Sequence, residues 1–313
     1  MSASGFDNPR IEQEEKLFVP PDMADEVWNF LHQRYVVDTE RLHQLDPLFT
    51  SYYNEEQFAD VYYDTPSLQL YAMKSGVRHR RRLNLTDPTN AKSGRELMQI
   101  KLNNISSNAL ERGEIKYAIE YPTKWSDAED HHPMLGIVKR SHRQPFKARL
   151  EALGLDPYSM RPILTVHDRR TRIYIKRDGQ PFMSISLDRV HSNIWWAKAT
   201  FVEIEPELGE IVFTDADPAT RKYMESILAQ VVTEIREKFP YIQSNLTPKY
   251  NKSFDQMWAQ LPFLKLLVRA NLLTTQAMWM TLLAAALGAA ALYWFLRRLR
   301  LAPLLVPRLR TGQ

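Results

Sequence analysis

The chain has 313 residues, of which 44% are hydrophobic, so it can bury one large core and still carry appendages. Its formal net charge is only +4, which argues against a uniformly basic surface. It contains no cysteine, and this excludes disulfides, thiolate metal sites and a cysteine nucleophile.

The first ten residues contain no apolar run, so we expect a disordered segment over 1–10 and no secretory signal peptide. From Ile11 onward, polar and apolar residues repeatedly alternate with a period of two, which is typical of half-buried β-strands. Helices are predicted at 22–36, 145–154 and 217–238. Eight strands are predicted, at 11–19, 59–64, 77–85, 95–102, 111–121, 163–176, 182–190 and 200–207.

One face of most predicted strands carries ionic side chains. Glu12, Glu14 and Lys16 share a face because alternate residues of a strand point to the same side. A solvated sheet face explains any single strand, but like charges at neighbouring positions repel each other, so a row of three arginines predicts a bound anion. The other rows are Arg78, Arg80 and Arg82; Gln99 and Lys101; Arg112, Glu114 and Lys116; Arg170, Arg172 and Lys176; Ser184, Ser186 and Asp188; and Glu203, Glu205 and Glu207.

A closed barrel with these faces turned inward explains the whole set. Eight antiparallel strands enclose a lumen that side chains or one slender ligand can fill. Arginine forks match phosphate oxygens, and carboxylates suit a divalent cation that bridges those oxygens. We therefore predict an α+β fold, an eight-stranded antiparallel β tunnel barrel with flanking helices, that binds a linear polyphosphate. Glu12 and Glu14 are expected on its metal side and Lys16 on its phosphate side.

The C-terminal region predicts a membrane anchor. Residues 277–296 carry no charge, and at about 1.5 Å per residue they span a hydrocarbon core of roughly 30 Å. We predict an amphipathic linker over 256–275, one transmembrane helix over 276–296 and a basic tail over 297–313. The alternative is a buried core helix or a helix packed on a partner. Without a signal peptide, the domain before the helix is expected in the cytoplasm, although the arginines of the tail favour the opposite orientation.

The motif ExExK at Glu12, Glu14 and Lys16 resembles the signature of the triphosphate tunnel metalloenzymes, the CYTH superfamily. "YYDT" at 62–65, "VRHR" at 77–80 and "VEIE" at 202–205 follow in the same order as in that superfamily. The segment "LTPKYNKSF" at 246–254 resembles the narrower VTC family, the polyphosphate polymerase domain of the vacuolar transporter chaperone complex. "RPILTVHDRRTRIYI" at 161–175 resembles a strand of the same family.

This resemblance implies a tunnel domain over 11–255 that uses Mn²⁺ or Mg²⁺ to transfer the γ-phosphate of ATP to a polyphosphate chain. Two residues depart from the family pattern, since Asp168 replaces an aromatic residue and Arg172 a small one. The implied catalytic residues are Arg78, Arg80, Lys101, Arg170 and Lys252. Substrate contacts are expected from Lys16, Arg82, Arg112, Lys116, Arg172 and Lys249, and metal binding from Glu205, Glu203, Glu12 and Glu14.

Two other functions use the same fold and stay open at this point. One is a triphosphatase that hydrolyses inorganic or organic triphosphates, and the other is a non-catalytic polyphosphate-binding subunit of a membrane complex. In each case the expected partners are phosphate chains, the bilayer and membrane subunits. Nucleic acid is not expected, because no aromatic stacking platform accompanies the arginines at 78–82.

Overall fold

The strands form one antiparallel sheet. The computed structural model describes residues 10–89, 93–103, 111–273 and 284–296, and in this part of the chain ten strands are present. Their order across the sheet is β1-β6-β5-β4-β3-β7-β8-β9-β2-β10. The strands are β1 (Arg10–Gln13), β2 (Leu17–Val19), β3 (Phe49–Asp64), β4 (Gly76–Asn84), β5 (Glu96–Leu102), β6 (Glu111–Tyr117), β7 (Arg161–Arg177), β8 (Gln180–Ile194), β9 (Ala197–Leu208) and β10 (Gln243–Ser244).

The sheet closes on itself at the segment that contains β1 and β2. On one side β1 pairs with β6, and on the other side β2 pairs with β9. Between them, Glu14 forms an isolated bridge with Glu207, and the Glu15 amide donates to the carbonyl of Pro206 at 3.0 Å. One stretch of chain therefore joins both ends of the sheet and produces a barrel with a lumen.

The predicted barrel with flanking helices is confirmed, but the prediction of eight strands was wrong. The segment predicted as one strand over 11–19 is two strands, because the chain leaves β6 after Gln13 and pairs with β9 from Leu17 onward. The two-residue β10 adds the tenth strand and had no period-two signal. In addition, β3 begins at Phe49 and not near residue 59.

Several helices pack on the outside of the barrel. Asp217 caps α6 by accepting from the amides of Ala219 and Thr220 at 2.9 and 3.0 Å, which confirms the helix predicted over 217–238. The helices are α1 (Ala24–His32), α2 (Thr39–Leu45), α3 (Gln69–Ala72), α4 (Arg140–Ala152), α5 (Glu210–Asp215), α6 (Pro218–Lys238), α7 (Lys249–Gln260) and α8 (Leu264–Arg269).

The apolar strand faces lie beneath these helices. Ile173 and Ile204 pack in one buried cluster with Val231 of α6, while Ile100 packs in a second cluster with Phe146 of α4. Burying each such side chain contributes about 1.5–3 kcal/mol relative to leaving it exposed. Because alternate residues point to opposite sides, this burial directs the ionic faces into the lumen.

The chain divides into two compact units, residues 1–264 and 265–313. In the second unit, residues 284–296 are helical. Within the described residues no helix is both long and apolar enough to cross a bilayer. Part of the predicted membrane segment, 276–283, lies outside the described residues, as do residues 1–9 and the basic tail over 297–313.

Candidate active site in the barrel lumen

A cavity of about 540 Å³ occupies the lumen. Among the residues that the structure describes, thirteen lysines and arginines and six glutamates line it. Two of the predicted site residues, Glu203 and Lys252, are buried beside the cavity without lining it. The predicted residues that do line it are Glu12, Glu14, Lys16, Arg78, Arg80, Arg82, Lys101, Arg112, Lys116, Arg170, Arg172, Glu205 and Lys249.

The arginine row of β4 has carboxylate partners on the neighbouring strand. Asp60 on β3 accepts from Arg78 at 3.0 Å and from Arg80 at 2.6 and 2.7 Å, and Glu56 accepts from Arg82. Burial acts to raise the pKa of Asp60, but Arg78 and Arg80 outweigh it and hold that pKa well below its usual value. The inference that this row requires a bound anion was therefore incomplete, since carboxylates of the protein itself pair with the arginines.

A second group of ionic side chains, which we call the floor network, surrounds the first turn of α7. It pairs four carboxylates with four cations among the described residues. The Lys249 ammonium donates to Asp168 at 3.0 Å and to Glu205 at 3.3 Å. The members of the floor network are Asp168, Asp188, Glu203 and Glu205 with Lys16, Arg170, Lys249 and Lys252.

Charge is balanced inside the floor network. Burial acts to raise the pKa of Glu205, but Lys16, Lys249 and Arg170 outweigh it and lower this pKa well below its usual value. Lys252 pairs with Glu203, a residue with no exposed surface, and burial lowers the pKa of this lysine. Asp168 differs, because burial and the neighbouring Asp188 raise its pKa to about 7.

A third group, the carboxylate triad, consists of Glu12, Glu14 and Glu207. Burial and then repulsion from Glu12 and Glu14 raise the pKa of Glu207 to about 8. Each triad carboxylate has at least one cation beside it. The pairs are Lys101 with Glu12 at 2.7 Å, Lys16 with Glu14 at 3.2 Å, Arg112 with Glu14 at 3.5 Å, and Arg172 with Glu207 at 3.6 Å. Lys16 and Lys101 also pair with carboxylates outside the triad, so the triad shares part of its positive charge with the rest of the lumen.

A further carboxylate holds the cations of β5 and β6 in place. Glu114 lies between Lys101 at 3.7 Å and Lys116, and 3.8 Å from Arg78. Burial acts to raise the pKa of Glu114, but these three cations lower it to about 2. Glu114 thus stays ionised at neutral pH and fixes the positions of the cations that face the cavity.

Helix α7 is fixed to the barrel by aromatic and polar contacts. Tyr250 stacks on Tyr62 with ring centroids 5.1 Å apart, and its hydroxyl donates to Asp64 at 2.9 Å. Asp64 also accepts from the amides of Leu70 and Tyr71 at 2.9 Å each. These contacts hold Lys249 against the floor of the lumen.

Two sets of carboxylates could hold a divalent cation. Asp188, Glu203 and Glu205 present oxygens within 4.8 Å of one another, but the Lys249 ammonium already lies among them. In the carboxylate triad Lys16 donates to Glu14 at 3.2 Å, but among the described residues no single cation pairs with all three members. Oxygen ligands of this kind suit Mg²⁺ or Mn²⁺. We therefore take the triad as the candidate metal site.

The sequence analysis placed Glu207 on the charged face of β9 but did not include it among the metal ligands. The alternation of Glu203, Glu205 and Glu207 was the available signal. Only the bridge between Glu14 and Glu207 shows that the last glutamate, and not the first, meets the ExExK segment. Asp60, Glu56 and Asp188 were also absent from the predicted site.

Comparison with known proteins identifies the family. The family model of the CYTH domain matches residues 36–220, more than half of the chain. The chain belongs to the CYTH family. Members of the CYTH family are divalent-metal-dependent enzymes of phosphoryl transfer or hydrolysis, and the acidic clusters of this lumen agree with that dependence. None of the curated proteins compared with it matches the chain.

Several solved structures are similar to this CYTH chain. A protein from Pyrococcus horikoshii is 14% identical and aligns 77% of this chain with 96% of its own, at a TM-score of 0.40. A Hippeastrum protein described as having a dominant triphosphatase activity is 16% identical over 72% of this chain and 87% of its own, at a TM-score of 0.36. An RNA triphosphatase of S. pombe is 12% identical over 77% of this chain and 85% of its own, at a TM-score of 0.34.

Proposed function

We propose that this protein is a membrane-anchored, metal-dependent polyphosphate polymerase that transfers the γ-phosphate of ATP to a growing polyphosphate chain. The observation that carries the proposal is the position of segment 246–254. This segment resembles the polymerase motif of the VTC family, and its Lys249 reaches the floor of the lumen, where it meets Asp168 and Glu205. The cations of the barrel wall face the same cavity.

The reaction requires alignment and charge stabilisation more than a protein nucleophile. An oxygen of the terminal phosphate of the chain attacks the γ-phosphorus of ATP, the bond from that phosphorus to the β–γ bridging oxygen breaks, and ADP leaves. The attacking oxygen is already ionised at neutral pH, so no general base is needed. Catalysis then depends on holding donor and acceptor in line and on stabilising the charge that develops.

The residues of the lumen can perform these tasks. Arg78, Arg80 and Lys116 line the cavity and would hold phosphate oxygens, with Asp60 and Glu114 fixing their positions. A divalent cation, when bound, would neutralise charge on the β- and γ-phosphates. The carboxylate triad would hold it.

The experiment uses the full chain in lipid nanodiscs with ATP and Mn²⁺ or Mg²⁺, followed by ³¹P NMR. A polymerase gives the resonances of internal chain phosphates together with ADP. Orthophosphate as the only new phosphate signal, from ATP or from inorganic triphosphate, would instead assign a triphosphatase. Binding of polyphosphate without any turnover would assign a non-catalytic subunit. A parallel sample with EDTA tests the metal requirement.

A further inference from the structure

The hairpin between β8 and β9 places two tryptophans in its turn. β8 ends at Ile194 and β9 starts at Ala197, so Trp195 and Trp196 are the whole turn. Two-residue hairpin turns strongly favour Asn, Asp and Gly, because these residues tolerate a positive φ. Trp195 nevertheless has φ +54°. A bulky residue in this conformation costs about 1–3 kcal/mol, so folding alone does not account for tryptophan here.

The two tryptophans belong to an exposed cluster with Phe263, which we call the aromatic patch. The ring centroids of Trp195 and Trp196 lie 6.5 and 6.3 Å from that of Phe263. Trp196 is 61% exposed and Phe263 is 42% exposed. The patch thus presents aromatic surface outward from the barrel.

The patch is held rigidly on the barrel by α7. The amide of Lys198 donates to the side-chain oxygen of Gln260 at 3.0 Å, and the amide of Thr200 donates to that of Gln256 at 3.0 Å. Both glutamines lie near the C-terminal end of α7, whereas Lys249 lies at its start in the floor network. One helix therefore connects the lumen with the aromatic patch.

We propose that the aromatic patch inserts into the interface of the bilayer in which the chain is anchored. The inference rests on the membrane anchor of the proposed function. Residues 264–276 join Phe263 to the uncharged segment 277–296, and at about 3.5 Å per residue they reach at most roughly 45 Å. Tryptophan suits the headgroup region because its ring is largely apolar and carries one polar N–H, and phenylalanine adds apolar surface beside it.

The charges near the patch also favour a lipid surface over a protein partner. Lys198 is exposed beside the turn, and Lys265 and Arg269 follow Phe263 in the sequence. Basic residues next to a membrane are attracted to anionic headgroups by about 1 kcal/mol each.

This placement would orient the enzyme. β9 runs from Ala197 at the patch to Glu207 in the carboxylate triad, a separation of roughly 33 Å at about 3.3 Å per residue. The triad side of the cavity would then lie away from the bilayer, where ATP and metal arrive from the water.

Spin labelling of the full chain in phosphatidylcholine–phosphatidylserine vesicles tests the proposal. Because the protein contains no cysteine, Trp196→Cys gives one labelling site, and Trp125→Cys gives a control with the same 61% exposure on the loop between β6 and α4. We expect the nitroxide at 196 to collide with oxygen and to be shielded several-fold from a water-soluble nickel complex. The nitroxide at 125 should stay accessible to the nickel complex.

One further labelled protein and one further measurement distinguish the remaining outcomes. Leu287→Cys reports on the membrane anchor. A label immersed in the bilayer at 287 together with a label in water at 196 would contradict insertion of the aromatic patch and would support the anchor. Aqueous labels at both positions would overturn both. Spin–spin coupling between labels at 196 would show that a second copy covers the patch, which also overturns the proposal. ATP turnover of each protein reports separately on the proposed activity.

A turn replacement separates insertion from folding. Trp195→Gly with Trp196→Asn places glycine at the position with positive φ, so the melting temperature should not fall. In that background a label at Lys198→Cys should lose the shielding from nickel that the same label has beside the two tryptophans. Unchanged shielding would contradict a role for the patch.

Discussion

Glu205 and Glu207 are two residues apart on one face of β9, line the same cavity and have opposite electrostatic environments. Lys16, Lys249 and Arg170 overcome the effect of burial and lower the pKa of Glu205, whereas burial and the carboxylates of Glu12 and Glu14 raise the pKa of Glu207 to about 8. The floor network pairs each carboxylate with a cation, whereas Glu207 lies beside two further carboxylates of the triad. We therefore propose that the floor stabilises the barrel and that the triad is the metal site.

The largest expected effect is on activity and comes from the triad. Glu14→Gln removes one metal-side charge, and a bound metal contributes several kcal/mol to phosphoryl transfer. At 1.4 kcal/mol per factor of ten, turnover should fall by about 10³-fold. ³¹P NMR or a coupled ADP assay measures the loss of turnover, and urea unfolding measures the accompanying change in stability, since Glu14 also pairs with Lys16.

The matched control for this prediction is Glu55→Gln. Glu55 pairs with Arg169 on the exposed side of the barrel, so its replacement should leave turnover and stability nearly unchanged. Full activity of the Glu14→Gln protein would refute the assignment of the metal to the triad.

The second prediction concerns the floor. Lys252→Met leaves Glu203 buried without its closest cation, and breaking a buried ion pair in this way costs about 3–5 kcal/mol. Urea denaturation should show that loss in the free energy of unfolding. The double variant Lys252→Met with Glu203→Gln removes the stranded charge and should recover much of the stability.

This pair of variants also tests the catalytic role that the sequence predicts for Lys252. If the Lys252→Met protein kept its stability and lost turnover, the lysine would act on the substrate. The floor network would then not be the purely stabilising part of the lumen.

A smaller effect is expected from the cations at the cavity wall. Lys116→Met removes a lysine that is 22% exposed and lies between Glu114 and Glu210. We expect KM for ATP to rise about tenfold, because one charge-assisted contact to phosphate contributes about 1.5–3 kcal/mol at most, while stability changes little. Steady-state kinetics at two salt concentrations measures both KM and its electrostatic origin, and Lys116→Arg should retain most of the affinity.

The last prediction is a pH dependence of stability. The pKa of Asp168 in the folded protein is about 7, above its value in an unfolded chain. The folded state therefore binds more protons than the unfolded state between about pH 4 and 7, and stability falls as pH rises through that window. Asp168→Asn should make the profile flatter in that window. Urea midpoints at several pH values measure the slope, and an unchanged slope would contradict the assignment.

Some of the site could be predicted because its signal is local. Glu12, Glu14 and Lys16 share a strand face by spacing alone, and the same spacing places Arg78, Arg80 and Lys101 in the lumen, where the structure has them. The break of the first strand could not be predicted, because it reflects a change of partner from β6 to β9 that leaves the alternation intact.

The carboxylates that partner the arginines were missed for a different reason. Glu56 and Asp60 meet Arg82 and Arg80 only through the register of β3 against β4. The first half of β3 has no clean alternation of exposed and buried residues, so its face could not be assigned from the sequence.

For the strands with clean alternation, the sequence was enough to assign the inward-facing residues, because a period of two and the burial of apolar faces leave one arrangement. The sequence did not determine which cation pairs with which carboxylate. Lys16 and Glu205 are separated by 189 residues and Lys101 and Glu12 by 89, yet each pair is in direct contact. Those contacts arise from the closure and register of the barrel. The Coulomb energy of a buried ion pair depends on separations of a few ångströms, and only the folded chain sets distances of that size.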